Sequence, residues 1–274
     1  VEAATLVVGR PTTGLRVERQ PSGGWNEAGM GAQPLAGGPS RLVPLGSWNV
    51  REGTQSSTLH LRGLDLEVRL LIEAAQASLD YDAFDRVRRA ALSDALTWRT
   101  SLGLVTDRIG LGVEGNLLRY WPVASHIRVA EGAELASLVR VLAAALIVGA
   151  PFTVSTGDPL PRDIAEVLAT QGIEVSLERD TDWLERIAAS GAPGPGVPAL
   201  RIRLIGGNPV QVAEWLGGLE RTAIWAEPVT MAGPVELLSF LREQAISISA
   251  HQRGIGTGIA LALFPAGAVA GEPR

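Results

Sequence analysis

The chain has 274 residues, of which 46% are hydrophobic and 19% charged, with a formal net charge of −5 and a pI of about 5.4. That composition supports one large domain or two smaller ones and excludes global disorder, and the acidic balance argues against a nucleic-acid binder, whose affinity rests on basic excess. Cysteine and lysine are both absent, which excludes disulfides, a thiolate zinc site, a cysteine nucleophile, a P-loop and Schiff-base chemistry.

The chain opens on Val1 without the basic-then-apolar pattern of a signal peptide and reads as entered in mid-sequence. Up to about Arg62, glycine, proline and serine punctuate it too often for long helices. Thr5 to Val8 is a short β-branched run. Arg41–Val50 and Ser57–Arg62 read as two strands around Glu52-Gly53-Thr54, a hairpin. From Leu64 to Leu102 the pattern is helical: Leu64, Val68, Leu71, Ile72 and Ala75 share one face. A break is expected over Leu79–Asp82, followed by a second helix with Phe84, Val87, Ala91 and Leu92 inward. Asp82 with Arg86, and Asp85 with Arg89, stand at i,i+4 with the acid first, the favourable order.

From about Leu117 to Phe264, short apolar runs alternate with helical stretches. The strands expected are His126–Ala130, Phe152–Ser155, Ile173–Leu177, Leu200–Ile205, Thr222–Trp225 and Ala245–Ser249. The helices expected between them are Glu134–Ile147, Pro161–Gln171, Thr181–Ser190, Pro209–Leu216 and Pro234–Glu243. Asp158, Asp180 and Asn208 supply start signals. This alternation predicts an α/β fold with a Rossmann-like, mostly parallel sheet, preceded by a Gly/Pro-rich β segment and a helical segment. The divisions expected are 1–62, 63–116 and 117–274. Leu138–Val148 is broken by Arg140, and Ile255–Val269 by glycines and Pro265, so neither reaches the ~20 residues of a membrane helix.

Several motifs carry possible chemistry. Gly110-Leu-Gly-Val-Glu-Gly115 matches the dinucleotide fingerprint G-x-G-x-x-G, but the strand before it and the helix after it are missing, and Pro122 follows closely. Ile205-Gly-Gly-Asn-Pro209 joins a strand to a helix and reads either as an anion-holding turn or as a plain capped βα turn. Asp80, Asp82 and Asp85 lack the loop of a calcium site. His60, His126 and His251 have no metal or triad spacing.

Two stretches resemble a known family. Val8-Gly-Arg-Pro-Thr-Thr-Gly14, Arg19-Gln-Pro-Ser-Gly-Gly-Trp25, Gly31 and Ala36-Gly-Gly-Pro39 are similar to the C-terminal part of the aldehyde dehydrogenases that oxidise glutamate semialdehyde. Gly112-Val-Glu-Gly-Asn-Leu-Leu-Arg-Tyr-Trp-Pro122, with Ile246-Ser-Ile-Ser249, is similar to the C-terminal extension of long proline utilization A proteins. This chain has Gly9, Ser22 and Leu35 where the family has Asn, an aromatic residue and Lys. Ser249-Ala250 stands for its Asn-Thr, and Gly254 is retained.

The resemblance implies that backbone N–H groups of Thr13, Gly14 and Leu15 hold the substrate carboxylate. It implies that Ser247, Ser249 and Gly254 belong to a lid over the passage between active sites, and that the family's catalytic cysteine and glutamate lie before Val1. No catalytic, cofactor or metal residue is then expected in this chain. NAD and FAD are expected in the parent enzyme, together with the remainder of that enzyme as partner, a homo-oligomeric assembly, no nucleic acid, no membrane span and a cytoplasmic location. The alternatives are a self-standing nucleotide-binding module built on Gly206-Gly207, and an assembly scaffold whose substrate loop has decayed.

Overall fold

The computed structural model describes residues 3–13, 15–16, 19–25, 36, 38, 46, 60–107, 110–111, 114–190 and 200–249. The expected hairpin over Arg41–Arg62 lies almost wholly outside them. The described elements fall into two compact units. One holds a mixed sheet; the other holds helices packed on a parallel sheet.

In the helical and parallel-sheet unit, α1 (Leu66–Ala75) buries Val68, Leu71, Ile72 and Ala75, the face its 3.6-residue periodicity defines. A 3-10 turn at Gln76–Ser78 and an extended Leu79 make the expected break. The next helix, α2 (Tyr81–Thr97), starts at Asp80, whose carboxylate accepts the Ala83 N–H at 2.7 Å. Asp85 pairs with Arg89 at 2.9 Å as its spacing predicts, and also with the buried Arg88 at 2.6 Å. The predicted Asp82–Arg86 pair is replaced: Arg86 extends to Glu134 instead, at 3.5 Å.

The parallel sheet comprises β4 (Ser125–Val129), β5 (Phe152–Thr156), β6 (Val175–Leu177), β7 (Leu200–Ile205) and β8 (Thr222–Trp225) in the order β6-β5-β4-β7-β8. All four pairings are parallel. Helices α3 (Leu135–Val148), α4 (Arg162–Thr170), α5 (Asp180–Ser190) and α6 (Pro209–Trp215) make the crossovers. Burial of Leu138, Val139, Arg140, Val141 and Leu142 in succession shows that α3 is enclosed on all sides. It ends on Gly149, whose φ of 65° lies in the left-handed region. A Cβ there meets nothing within 4 Å, so Gly149→Ala should cost backbone strain alone, about 1 kcal/mol. A shift of that size in the urea midpoint checks it.

The mixed sheet holds β1 (Thr5–Val8), β2 (Thr106–Asp107), β3 (Glu114–Pro122) and β9 (Leu241–Ser249) in the order β1-β9-β3-β2. Two sequence expectations are corrected here. The helix expected over Pro234–Glu243 stops early: α7 (Gly233–Glu236) passes into a 3-10 turn, Leu237–Phe240, and Leu241 is already strand. The strand expected at Ala245–Ser249 does not extend the parallel sheet. It pairs with β1, Thr5 opposite Ala245 and Val8 opposite Ile248. Small apolar clusters back this sheet, one of Ala4, Trp25, Ala36 and Ala245, another of Val105, Leu117, Ile246 and Ile248.

Candidate functional site

The segment expected to hold a substrate carboxylate leaves the edge strand β1 at Gly9. Gly9 has a φ of 81°, a left-handed conformation that glycine and asparagine adopt more readily than other residues. Glycine in place of the family's asparagine therefore keeps the chain's turn at this point. Pro11, Thr12 and Thr13 are exposed and Leu15 is half-buried; Gly14 lies outside the described residues. Thr13 sits in a turn with no regular structure around it, so the position of this loop depends on what grips its flanks.

Both flanks are gripped from the same sheet. Upstream, the Arg10 guanidinium donates to Ser247 Oγ at 2.8 Å, and Ser247 Oγ donates to Asn116 Oδ1 at 3.1 Å. Asn116 Nδ2 donates to Glu114 Oε1 at 2.7 Å. Downstream, Arg19 binds both oxygens of Glu114 at 2.9 Å each, and Gln20 Nε2 donates to Oε1 at 2.7 Å. The Arg16 N–H donates in turn to Gln20 Oε1 at 2.8 Å. Burial alone would raise the Glu114 carboxyl, but the hydrogen bonds from Asn116, Arg19 and Gln20 hold it down at about 2. The group stays ionised at neutral pH. Its contribution to stability is complete above the ordinary carboxylate range and is lost as pH falls through about 2.

A second buried carboxylate organises the other resemblance motif. Glu243 Oε2 accepts the N–H groups of Ala36 and Gly38 at 2.9 Å each, and its backbone carbonyl accepts Trp25 Nε1–H at 2.7 Å. A Cβ on Gly38 would lie 2.5 Å from Glu243 Oε1 and 2.8 Å from Leu118 Cδ2. Only glycine lets the backbone approach this closely.

Of the Gly110–Gly115 motif, the described Gly110 and Leu111 lie between the antiparallel strands β2 and β3, and Glu114 and Gly115 already belong to β3, so a strand and not a helix follows. Asp107 accepts the Gly110 N–H at 3.0 Å and the Asn116 N–H at 3.1 Å. The residues expected to belong to a lid divide. Ser247 is a buried member of the brace just described, the backbone of Ser249 ends β9, and Gly254 lies outside the described residues.

In the parallel-sheet unit, strand order reverses between β4 and β7, the switch point where α/β sheets bind ligands. Gly206 and Gly207 have φ of 72° and 74° there, and Asn208 caps α6 by accepting the Val210 N–H at 2.9 Å. The crevice is occupied by the chain's own side chains. Asp180 accepts Arg128 Nη2–H at 2.6 Å and lies 3.3 Å from the Glu131 N–H, while Asp158 accepts the Gly132 N–H at 2.6 Å. Asp158, expected as a helix start signal, thus acts elsewhere; Pro161 precedes α4. Arg128 stacks over Trp183 at 5.0 Å, and the remaining recess is about 40 Å³. Two carboxylates thus stand on the Glu131 and Gly132 N–H groups at the end of β4, donors that a bound anion would otherwise take.

His126 lies within the same unit. Burial, aided by Arg186 and Arg128, lowers it to about 4, so the neutral ring accepts Trp183 Nε1–H at 3.0 Å. Among the described residues no group of three or more His, Asp or Glu could hold a metal ion, and no helix is long and apolar enough to cross a membrane.

Glu114, Asn116, Gln20 and Glu243 escaped sequence reading. The side-chain bonds that give them their roles span 94 residues between Gln20 and Glu114, 131 between Asn116 and Ser247, and 207 between Glu243 and Ala36. Glu114 and Asn116 fall inside the resemblance motif at 112–122, and that was the signal available.

One unit with a mostly parallel, Rossmann-like sheet and one with a mixed sheet make the chain an α/β protein that resembles aldehyde dehydrogenase-type folds. More particularly, it resembles a segment of proline utilization A. The structure of that protein from Corynebacterium freiburgense matches with a TM-score of 0.59 and 28% identity, over 91% of this chain and 21% of that one. Proline utilization A from Bradyrhizobium japonicum is similar at a TM-score of 0.41 and 15% identity, over 59% and 19% of the two chains. A benzaldehyde dehydrogenase from Corynebacterium glutamicum gives 0.36 and 15%, over 59% and 38%. This chain spans about a fifth of the length of the proline utilization A structures. No protein-family model and no curated protein matches it.

Proposed function

We propose that the chain is the non-catalytic C-terminal region of a proline-catabolic glutamate-semialdehyde dehydrogenase. It contributes the loop around Thr13, Gly14 and Leu15 that holds the substrate carboxylate, the hairpin over Arg41–Arg62 for oligomerisation, and a lid from Ser249 onward. The observation that carries this reading is the likeness to proline utilization A over 91% of the chain, joined to a loop whose two flanks are fastened to β3 and β9. NAD and FAD act in the parts of the enzyme outside this chain, and the assembly is a cytoplasmic homo-oligomer.

The chain lacks cysteine, and aldehyde oxidation of this type begins with a thiolate attacking the carbonyl carbon. The purified chain should therefore produce no NADH from any aldehyde. In the full enzyme, removing the chain from Ser249 onward should leave semialdehyde oxidation within about two-fold, since uniform binding and chemistry are untouched. With proline as substrate, the same truncation should introduce a lag before NADH appears, because the intermediate escapes to solvent. A truncated enzyme that shows no lag would remove the lid from the proposal.

A further inference from the structure

We propose that Glu114 is a positioning residue for the carboxylate-holding loop, acting through Arg19 and Gln20 on one flank and through Asn116, Ser247 and Arg10 on the other. The inference rests on the proposed function and adds to it the residues that fix the loop's place.

The physical case begins with exposure. The stretch Pro11–Thr13 is exposed and irregular, whereas Gln20, Glu114, Asn116 and Ser247 are all at most 5% exposed. Backbone donors select a carboxylate only when they are held in place before it arrives, since ordering them on binding costs affinity. An irregular exposed loop has no such order of its own. Here the order is imported from β3 and β9, two neighbouring strands of one sheet. Glu114 stands where the two arms meet. It accepts both downstream side chains directly, and the upstream arm reaches it through Asn116. Ser247 uses its hydroxyl in both directions, accepting from Arg10 and donating to Asn116.

Charge gives an independent handle. Arg10, Arg16 and Arg19 border the loop with Glu18 between them, and Glu114 offsets Arg19, so positive charge remains beside a site for an anion. Glu114→Gln removes that offset and raises the positive charge. If charge governed carboxylate binding, the variant would bind the semialdehyde more tightly. If position governs it, the variant binds more weakly, because Arg19 loses its bidentate partner. The two explanations predict opposite signs.

The experiment is steady-state kinetics of the full enzyme with glutamate semialdehyde and, separately, with propanal, which has no carboxylate. Glu114→Gln should raise the KM for semialdehyde about ten-fold, the loss of roughly one charge-assisted bond, with kcat within about two-fold. The KM for propanal should not move. Ser247→Ala removes one hydroxyl from the upstream arm and should raise the semialdehyde KM about three-fold, again without effect on propanal; it also serves if Glu114→Gln fails to fold. An unchanged or lower semialdehyde KM in the folded variants overturns the inference, and so does an equal rise for propanal. Gly14→Val separates the two levels. If it raises the semialdehyde KM while Glu114→Gln and Ser247→Ala do not, the loop binds substrate and only the brace is wrong. If Gly14→Val also leaves it unchanged, the proposed function of the loop fails.

Discussion

Asp94→Ala is expected to destabilise the parallel-sheet unit by about 3–5 kcal/mol, the range for breaking a buried ion pair from one side. Asp94 and Arg140 are both fully buried and joined through both guanidinium nitrogens, Nη2 at 2.8 Å from Oδ1 and Nη1 closer still to Oδ2. Without the carboxylate, Arg140 keeps its Nε–H bond to the Thr230 carbonyl at 2.9 Å, and its charge in the core is left to the attraction of Glu236, which already pairs with Arg203. Urea unfolding at pH 8, where the Asp94 carboxyl is mostly ionised, measures the loss; a change below about 1 kcal/mol would show that water reaches Arg140. The pair also has a pH signature. Burial raises Asp94 to about 7 against the pull of Arg140. The folded state then binds this proton more tightly than the unfolded chain does. Stability from this group is therefore fully present at acid pH and declines as pH rises from about 4 towards 7. The difference between wild type and Asp94→Ala should accordingly be larger at pH 5 than at pH 8.

Glu243→Ala is expected to cost about 2–4 kcal/mol in the mixed-sheet unit, because a buried donor on Ala36 and a half-buried one on Gly38 lose their acceptor together. The Ala36 and Gly38 N–H groups both end on Glu243 Oε2, and Ala36 is fully buried. Amide hydrogen exchange at these two residues should accelerate well beyond that of β9. The Trp25 indole bond should survive, since it ends on the Glu243 backbone carbonyl rather than on its side chain. Equal acceleration throughout β9 would instead mean that the whole sheet had loosened.

Local pattern carried most of the secondary structure. The expected strands at Leu200–Ile205 and Thr222–Trp225 match β7 and β8 at both ends, because short apolar runs between turn residues have few other ways to bury themselves. Helices α1 and α2, and the break between them, were equally legible, since their faces repeat every three to four residues. The failure at Pro234–Glu243 has a non-local cause. Helix and strand patterns are both apolar there, and pairing of β9 with its neighbours decides where one stops and the other starts.

The arginines of β7 mark a deeper limit. Alternation in Leu-Arg-Ile-Arg-Leu-Ile suggests a solvated face, yet Arg201 and Arg203 are both 3% exposed. Arg203 pairs with Glu236 at 2.7 Å, and Arg201 donates to the carbonyls of Ser239 and Leu241 at 3.0 Å and 2.7 Å. These partners follow 33 to 40 residues later, around a turn whose place depends on the completed sheet. A buried arginine is tolerable only with such partners, so its burial cannot be read from its own neighbourhood.

By itself the sequence determined the class of fold, through hydrophobic periodicity. The lack of cysteine and lysine likewise limited the chemistry open to the chain. It also marked Thr13, Gly14 and Leu15 through a family resemblance. Only the tertiary structure decided that β9 joins β1 rather than the parallel sheet, that Asp180 enters the crevice at the switch point while Asp158 takes the Gly132 N–H, and that Glu114 ties down both flanks of the loop. The physical reason is the range of the forces involved. Periodicity and turn chemistry act over a few residues and leave their mark on adjacent positions. A hydrogen bond between side chains 95 or 131 residues apart depends on where the folded backbone brings them together.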